Sequence, residues 1–374
     1  MQSSLSTLQN TWPGKQSRGF KRIYCPALVQ SMNTQKCLSV LSKLSLLILA
    51  WLSFSTASAR EANQTLRTTT PLQDSGKVVA RSGDVIQGLR ISNPSGPCVV
   101  AQNVTNVTIV NNEIGPCGSD PHYQIGVYIN EASDLQILNN RFKSVSSALY
   151  AVNETRGKLL FEGNYASDIR GPYPRGQLVQ LNQYSGPNIT IRCNVSDQKI
   201  GGYTNSDGKG GPEDHINIYK SSGTENSSIY IVNNKIRGGG SKSGGGILAV
   251  DAGEGSNVRI DSNLLVDPGQ YGIGIASGSN IQVTNNQIFA SANEWTNVGI
   301  YVWNQYKNTA CSNNEVSGNS VNYTNKKGAP NPYWDSGNCG KVSSPKKNDF
   351  SATQLSASHW DSSFPSCAIS LRKR

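Results

Sequence analysis

Histidine occurs only three times in 374 residues, and no cysteine or histidine spacing matches a zinc site. A dense run of lysine and arginine with interleaved aromatics is also missing, which disfavours nucleic acid as a partner. No contiguous calcium loop occurs. The longest mainly apolar stretch, Ser45 to Phe54, falls well short of the roughly 20 residues a membrane-spanning helix needs.

What the chain has instead is asparagine in a fixed frame. An apolar residue, two further residues and then an asparagine recur as Ile109-Val110-Asn111-Asn112, Ile137-Leu138-Asn139-Asn140, Phe161-Glu162-Gly163-Asn164, Ile191-Arg192-Cys193-Asn194, Ile231-Val232-Asn233-Asn234, Ile260-Asp261-Ser262-Asn263, Val283-Thr284-Asn285-Asn286 and Val316-Ser317-Gly318-Asn319. The asparagines are 28, 24, 30, 40, 29, 23 and 33 residues apart. That range describes a solenoid whose coils differ in loop length, each coil closing its core only against its neighbours. Every strand then pairs with the strands above and below, ~4.8 Å away. The asparagines, beside a turn that tolerates left-handed backbone, form a ladder of amides.

The first 59 residues carry Lys15, Arg18, Lys21, Arg22, Lys36 and Lys43 and no acidic residue. Ser45 to Phe54, followed by Ala57-Ser58-Ala59, reads as a signal peptide opening at Met32 and cleaved after Ala59. Of 34 basic residues, 28 then remain against 24 acidic ones, so the formal charge falls from +10 to +4. A mildly basic exported protein suits an anionic polymer. The expectation is a secreted or periplasmic monomer, free of the membrane after cleavage.

Six cysteines stay with the exported chain, where pairing is expected. Proximity suggests Cys98 with Cys117 and Cys311 with Cys339, and leaves Cys193 either a buried thiol or a partner of Cys367. The Asn-X-Ser/Thr sequons at Asn103, Asn106, Asn153 and Asn188 are read as a by-product of asparagine-rich turns. The divisions expected are a polar lead-in over 60–77, the solenoid over 78–325 and a capping tail over 326–374.

Counting back from each ladder asparagine reaches a second strand per coil. Strict alternation puts Ile125, Val127, Ile129, Val179, Leu181, Ile216, Ile218, Leu248, Val250, Tyr271, Ile273, Ile275, Ile300 and Val302 inside. Outside, it gives a column of Tyr128, Val152, Asn182, Tyr219, Asp251 and Gly274, with Gln180 and Asn217 one column over and His215, Tyr301 and Trp303 also facing out. Titratable groups cluster centrally and aromatics lie toward the ends, a layout that suits an extended polysaccharide.

The densest constellation is Glu213-Asp214-His215-Ile216-Asn217-Ile218-Tyr219-Lys220, which follows an expanded Gly- and Pro-rich loop from Ile200 to Pro212. Insertions on solenoids commonly build the binding face. Abstraction of the proton at carbon 5 of a uronic acid needs a base, an acid and a group that neutralises the carboxylate. His215 is expected as base and Tyr219 as acid or second proton carrier, with Asp214 beside them. Lys220, Arg175, Gln180 and Asn217 would hold carboxylate and hydroxyls, and Asn182, Asp251, Tyr128, Tyr301 and Trp303 would extend the binding surface. Lys220 emerges only if the strand bulges near Tyr219. No cofactor is required; calcium, on Asp207, Glu213, Asp214 and Asp251, is an optional substitute for the basic groups.

The repeat resembles the right-handed parallel β-helix superfamily, which includes the pectate-lyase-like proteins, over roughly residues 78 to 325. The resemblance implies an all-β, single-stranded right-handed parallel β-helix of eight to ten coils with a C-terminal capping tail. It leaves the activity open, since that scaffold carries lyases, hydrolases, epimerases and adhesins. Asp120-Pro121-His122 resembles the opening of the Asp-Pro-His-Asp motif of mannuronan carbon-5 epimerases, with Tyr123 in the fourth place, and supplies an alternative site at Asp120 and His122. Asn205-Ser206-Asp207-Gly208 is similar to the first acidic motif of polygalacturonases, whose Asp-Asp and Gly-His-Gly motifs are missing. The reading is a polysaccharide lyase or carbon-5 epimerase. The alternatives are a hydrolase using paired carboxylates, Asp214 and Asp251, and a non-catalytic carbohydrate-binding solenoid.

Overall fold

The eight ladder asparagines stand in single file, each nearly or fully excluded from solvent. In the computed structural model, which describes residues 71–120, 123–171, 175–198, 211–241 and 243–361, the amide nitrogens of Asn112, Asn140, Asn164, Asn194, Asn234, Asn263 and Asn286 each donate to the next asparagine's oxygen at 2.9–3.1 Å. Each rung is fully satisfied. Asn140 donates to Asn164 and to the Ile109 carbonyl, and its oxygen accepts from both the backbone and the side chain of Asn112. All the bonds an amide can make are therefore made inside the stack. Asn348 adds a ninth rung, accepting from Asn319 at 2.8 Å. The residue before each of the eight repeat asparagines has positive φ, from 54° at Asn139 to 69° at Gly318, so asparagine, glycine, serine or cysteine fills it and no β-branched residue does.

The apolar residue three places earlier builds the core. Ile109, Ile137, Phe161, Ile191, Ile231, Ile260, Val283 and Val316 pair in register from coil to coil, and none is more than 2% exposed. Three parallel ten-stranded sheets run the length of the solenoid, so the fold is an all-β, right-handed parallel β-helix.

The disulfides Cys98–Cys117 and Cys311–Cys339 form as expected. Cys193 is also disulfide-bonded, which excludes the free thiol; Cys367 and the targeting segment lie outside the described residues. Among the described residues no helix is long and apolar enough to cross a membrane.

Coil pairing continues past residue 325. Tyr333–Asp335 adds a tenth strand beside Val298–Val302, and Asp349 bridges to Ser320. The last described turn then lies on the side of the stack. Buried Trp360 packs with Leu264 and Val266, and its ring carries the Lys235 ammonium at 4.8 Å and the Arg237 guanidinium at 4.3 Å. The tail is held by apolar burial with cation–π contacts.

Candidate functional site

The site lies on the sheet made of Val78–Val79, Val99–Gln102, Ile125–Asn130, Ser147–Glu154, Gln177–Tyr184, Ile216–Tyr219, Ile247–Asp251, Tyr271–Ile275, Val298–Val302 and Tyr333–Asp335. Register sets two outward columns. One runs Val100, Tyr128, Tyr150, Gln180, Asn217, Leu248, Gly274, Tyr301, Trp334. The other runs Gln102, Asn130, Val152, Asn182, Tyr219, Asp251. Tyr128 and Gly274 thus share the column of Gln180 and Asn217 and not that of Asn182 and Asp251, a correction of one outward column, two residues along the strand for Tyr128.

Two local departures from alternation account for the other differences. At the corner where each coil enters this sheet, two successive residues face inward. Ala148 and Leu178 occupy the first of these places fully buried; at Gly126 and Gly272 a Cβ would stand 2.8 Å from Phe142 and 2.5 Å from Ile288. His215 belongs to that corner position, so its expected outward placement is corrected: its exposure is 0%. The residue before the corner faces out, so Tyr271 reaches the site and not the core. Second, the register shifts between Asn217 and Tyr219 against the next strand. The extra residue, Val250, has φ 53°, so Leu248 faces out and Ala249 in, the reverse of the expected order, while Asp251 keeps its outward place.

His215 sits in a buried polar relay. Its Nε2–H donates to the Gly238 carbonyl, which leaves Nδ1 to accept from the Ser196 hydroxyl at 2.9 Å; Ser196 in turn accepts from Gln198 at 2.9 Å. Burial holds the imidazole neutral, its pKa lowered to about 4. The folded value lies below the ordinary ~6.5, so the contribution of neutral His215 to stability is complete above pH 6.5 and is lost as the pH falls toward 4. The total is about 3 kcal/mol. Unfolding His215→Gln and the parent in urea at pH 7 and pH 4 should therefore show the parent losing that much more; equal losses would contradict the burial.

The polar centre is acidic. Asp214, 2% exposed, accepts from Gly245 N–H at 2.9 Å, from the Tyr271 hydroxyl, and from the Asn217 amide at 2.9 Å. Glu213 accepts from Ser243 at 3.0 Å and from Gln177 at 3.5 Å. Burial raises both carboxyls, and the adjacent Glu213 charge raises Asp214 further. A pair raised in this way favours holding one proton between them over carrying two charges. Asp251, half-buried on the neighbouring coil, accepts from Ala252 N–H at 2.7 Å, from the Tyr306 hydroxyl and from Asn217 at 3.3 Å. One amide nitrogen therefore spans Asp214 and Asp251, and its two contacts limit the bonded oxygens to at most about 6 Å apart, a range that includes the ~5–5.5 Å of retaining glycosidase pairs.

Around this centre Leu248, Tyr271, Ala276, Val298 and Tyr301 form an apolar floor outside the main core, with Trp303 and Tyr306 against it. Tyr271 and Tyr301 cross edge to face at 5.0 Å, and Trp303 and Trp334 at 5.9 Å. At the other end Tyr128 stacks on Tyr150 at 6.2 Å, Arg175 lies over Tyr150 at 4.4 Å and Asn182 donates to its hydroxyl at 3.0 Å. Gln180 reaches Asn217 at 3.5 Å. Tyr219 faces out, half-buried. Lys220 leaves the strand with φ 46° and pairs with Glu254 at 3.4 Å, away from the carboxyl pair. The Asp120 carbonyl accepts from the Tyr123 N–H at 2.9 Å; His122 and Asp207 lie outside the described residues. Among the described residues no three carboxylate, imidazole or thiol groups converge as metal ligands.

Sequence reasoning missed Tyr271, Tyr306 and Tyr150. The spacing of Tyr271 mimicked a core residue, and Tyr306 arrives from a loop that the repeat pattern does not describe.

A β-helix with an acidic and aromatic outer face is the class these features define. A family model described as right handed beta helix region matches residues 63–222. Among solved structures, the chain is similar to PfbA, a surface adhesin of Streptococcus pneumoniae, at 12% identity, 65% coverage of this chain and TM-score 0.43. It is also similar to the catalytic domain of a GH87 alpha-1,3-glucanase in complex with nigerose, at 14% identity, 74% coverage and TM-score 0.36. The match covers 61% and 57% of those two chains. No curated protein matches.

Proposed function

We propose that this protein is an exported polysaccharide-active enzyme that hydrolyses glycosidic bonds with Asp251 and the Glu213/Asp214 pair. The observation that carries the reading is the Asn217 amide held between Asp214 and Asp251, which fixes a proton-holding carboxyl group and an accessible carboxylate on adjacent coils. In this scheme the shared proton goes to the departing glycosidic oxygen, and Asp251 supports the anomeric centre as nucleophile or as base toward water. Asn217 keeps the two groups in place, and the aromatic ends stack sugar rings.

The lyase and epimerase readings need a base at the sugar and cations at its carboxylate. The burial of His215 and the pairing of Lys220 with Glu254 count against that assignment. Incubation of the purified chain with a panel of polysaccharides separates the reactions by product. Hydrolysis should release reducing ends without ultraviolet absorbance. An absorbing, unsaturated product would replace this reading with elimination, and an unchanged length with inverted carbon-5 stereochemistry would replace it with epimerisation.

A further inference from the structure

Neither outward column, from Gln102 to Asp251 or from Val100 to Trp334, contains a lysine or an arginine. Among the described residues the acidic side chains in the middle of the face are the Glu213/Asp214 pair and Asp251. Among the described residues the nearby cations sit at its margins: Arg175 is stacked on Tyr150, and Lys220 is paired with Glu254. Resting on the hydrolase reading, we propose that the face takes a neutral polysaccharide, with Trp334 as the sugar platform at one end.

Two physical arguments lead there. A polyuronate lying along the stack would bring roughly one negative charge per ~5 Å coil over a centre that is already acidic, in a partly desolvated setting where like charges are not well screened. Neutral sugars need only hydroxyl partners and apolar ring faces, and the face offers Gln180, Asn182 and Asn217 beside aromatic rings. Trp334 is the most exposed of these rings at 39% and stands in register beyond Tyr301. It is three coils from the Asp251 strand, or ~14 Å, about the length of three sugar units. The mildly basic composition of the exported chain pointed to an anionic partner; among the described residues, neither column of this face carries a lysine or an arginine.

The test measures binding apart from cleavage. Asp251→Asn, which should hold substrate without consuming it, is run by affinity electrophoresis through gels containing a soluble α-glucan, a soluble β-glucan, a galactomannan or a polyuronate, the last with and without calcium. At least one neutral polymer should retard it more than the polyuronate under either condition, and adding Trp334→Ala should weaken that retardation about tenfold while the unfolding temperature stays unchanged. Tighter binding to the polyuronate, with or without calcium, would overturn the inference, as would neutral binding indifferent to Trp334. Reducing ends released from polyuronate by the parent enzyme would spare the hydrolase reading and sink this one. Trp334-dependent neutral binding with no cleavage by the parent would do the reverse, and no binding at all would remove both.

Discussion

Replacing Asp251 by asparagine is expected to lower glycan cleavage about a thousandfold while the protein keeps its fold. The substitution is nearly isosteric. An amide oxygen at that place still accepts from the Ala252 N–H and the Tyr306 hydroxyl, while the new NH2 gives up the 3.3 Å bond from Asn217, so one weak hydrogen bond is lost and stability should fall by about 1 kcal/mol. What disappears is the charge that an anomeric centre would meet. Turnover and unfolding are measured on one preparation. A variant that cleaves at the parental rate removes Asp251 from the reaction; one that loses activity and fold together shows only that the residue is structural, and Tyr306→Phe then separates the cases. That phenylalanine deletes one donor to Asp251, and should change the pH profile of cleavage more than its maximum rate if the carboxylate is the working group.

The register of the solenoid was legible in the sequence because its determinants are local and repeated. Asn234 follows a residue that must take positive φ, Asn233, and Ile231 must point into the core. Neither requirement depends on what the distant chain does, so eight copies carry the same message. Asn348, the ninth rung, was not legible because Val316-Ser317-Gly318-Asn319 is followed by residues that form no further copy of the apolar-x-x-Asn frame. There the polar tail reaches the ladder by a 3-10 turn over Pro345–Lys347.

The candidate site was legible in part. Asn217, Asp251, Gln180, Tyr301 and Trp303 do lie together on one face, as the column count required, and Asp214, which strict alternation would turn inward, joins them because it precedes the corner at His215. His215 failed because period two holds only within a strand. The coil turns into the sheet at that residue, and the same place is glycine in Gly126, Gly246, Gly272 and Gly299, a pattern that marks a crowded inward corner once the coils are aligned. Leu248 and Ala249 failed for a different reason: an added residue at Val250 has no signature other than its positive φ. Both failures come from backbone geometry that adds one residue without changing composition.

Asn234→Leu should be the most damaging single ladder substitution, costing about 4 kcal/mol. Its Nδ2 donates to Ile191 O and to Asn263 Oδ1, both at 3.0 Å, and its Oδ1 accepts from the Asn194 backbone at 3.1 Å and side chain at 2.9 Å. Leucine matches the volume but strands the Ile191 carbonyl, the Asn194 N–H and one amide proton where water does not reach. Buried orphans of that kind cost ~1–3 kcal/mol each. Ile231→Ala, in the adjacent apolar column, is the comparison: it opens a cavity without orphaning a polar group and should cost ~2–5 kcal/mol. The two overlap in size but differ in kind. A solenoid is stabilised by its nearest-neighbour interfaces, so breaking the rung near the middle should lower the urea dependence of unfolding as the two halves separate, whereas the cavity should shift the midpoint alone. If Asn234→Leu costs under about 1 kcal/mol, the amide file follows the register and does not set it, and the apolar column is then what aligns Asp214 with Asp251.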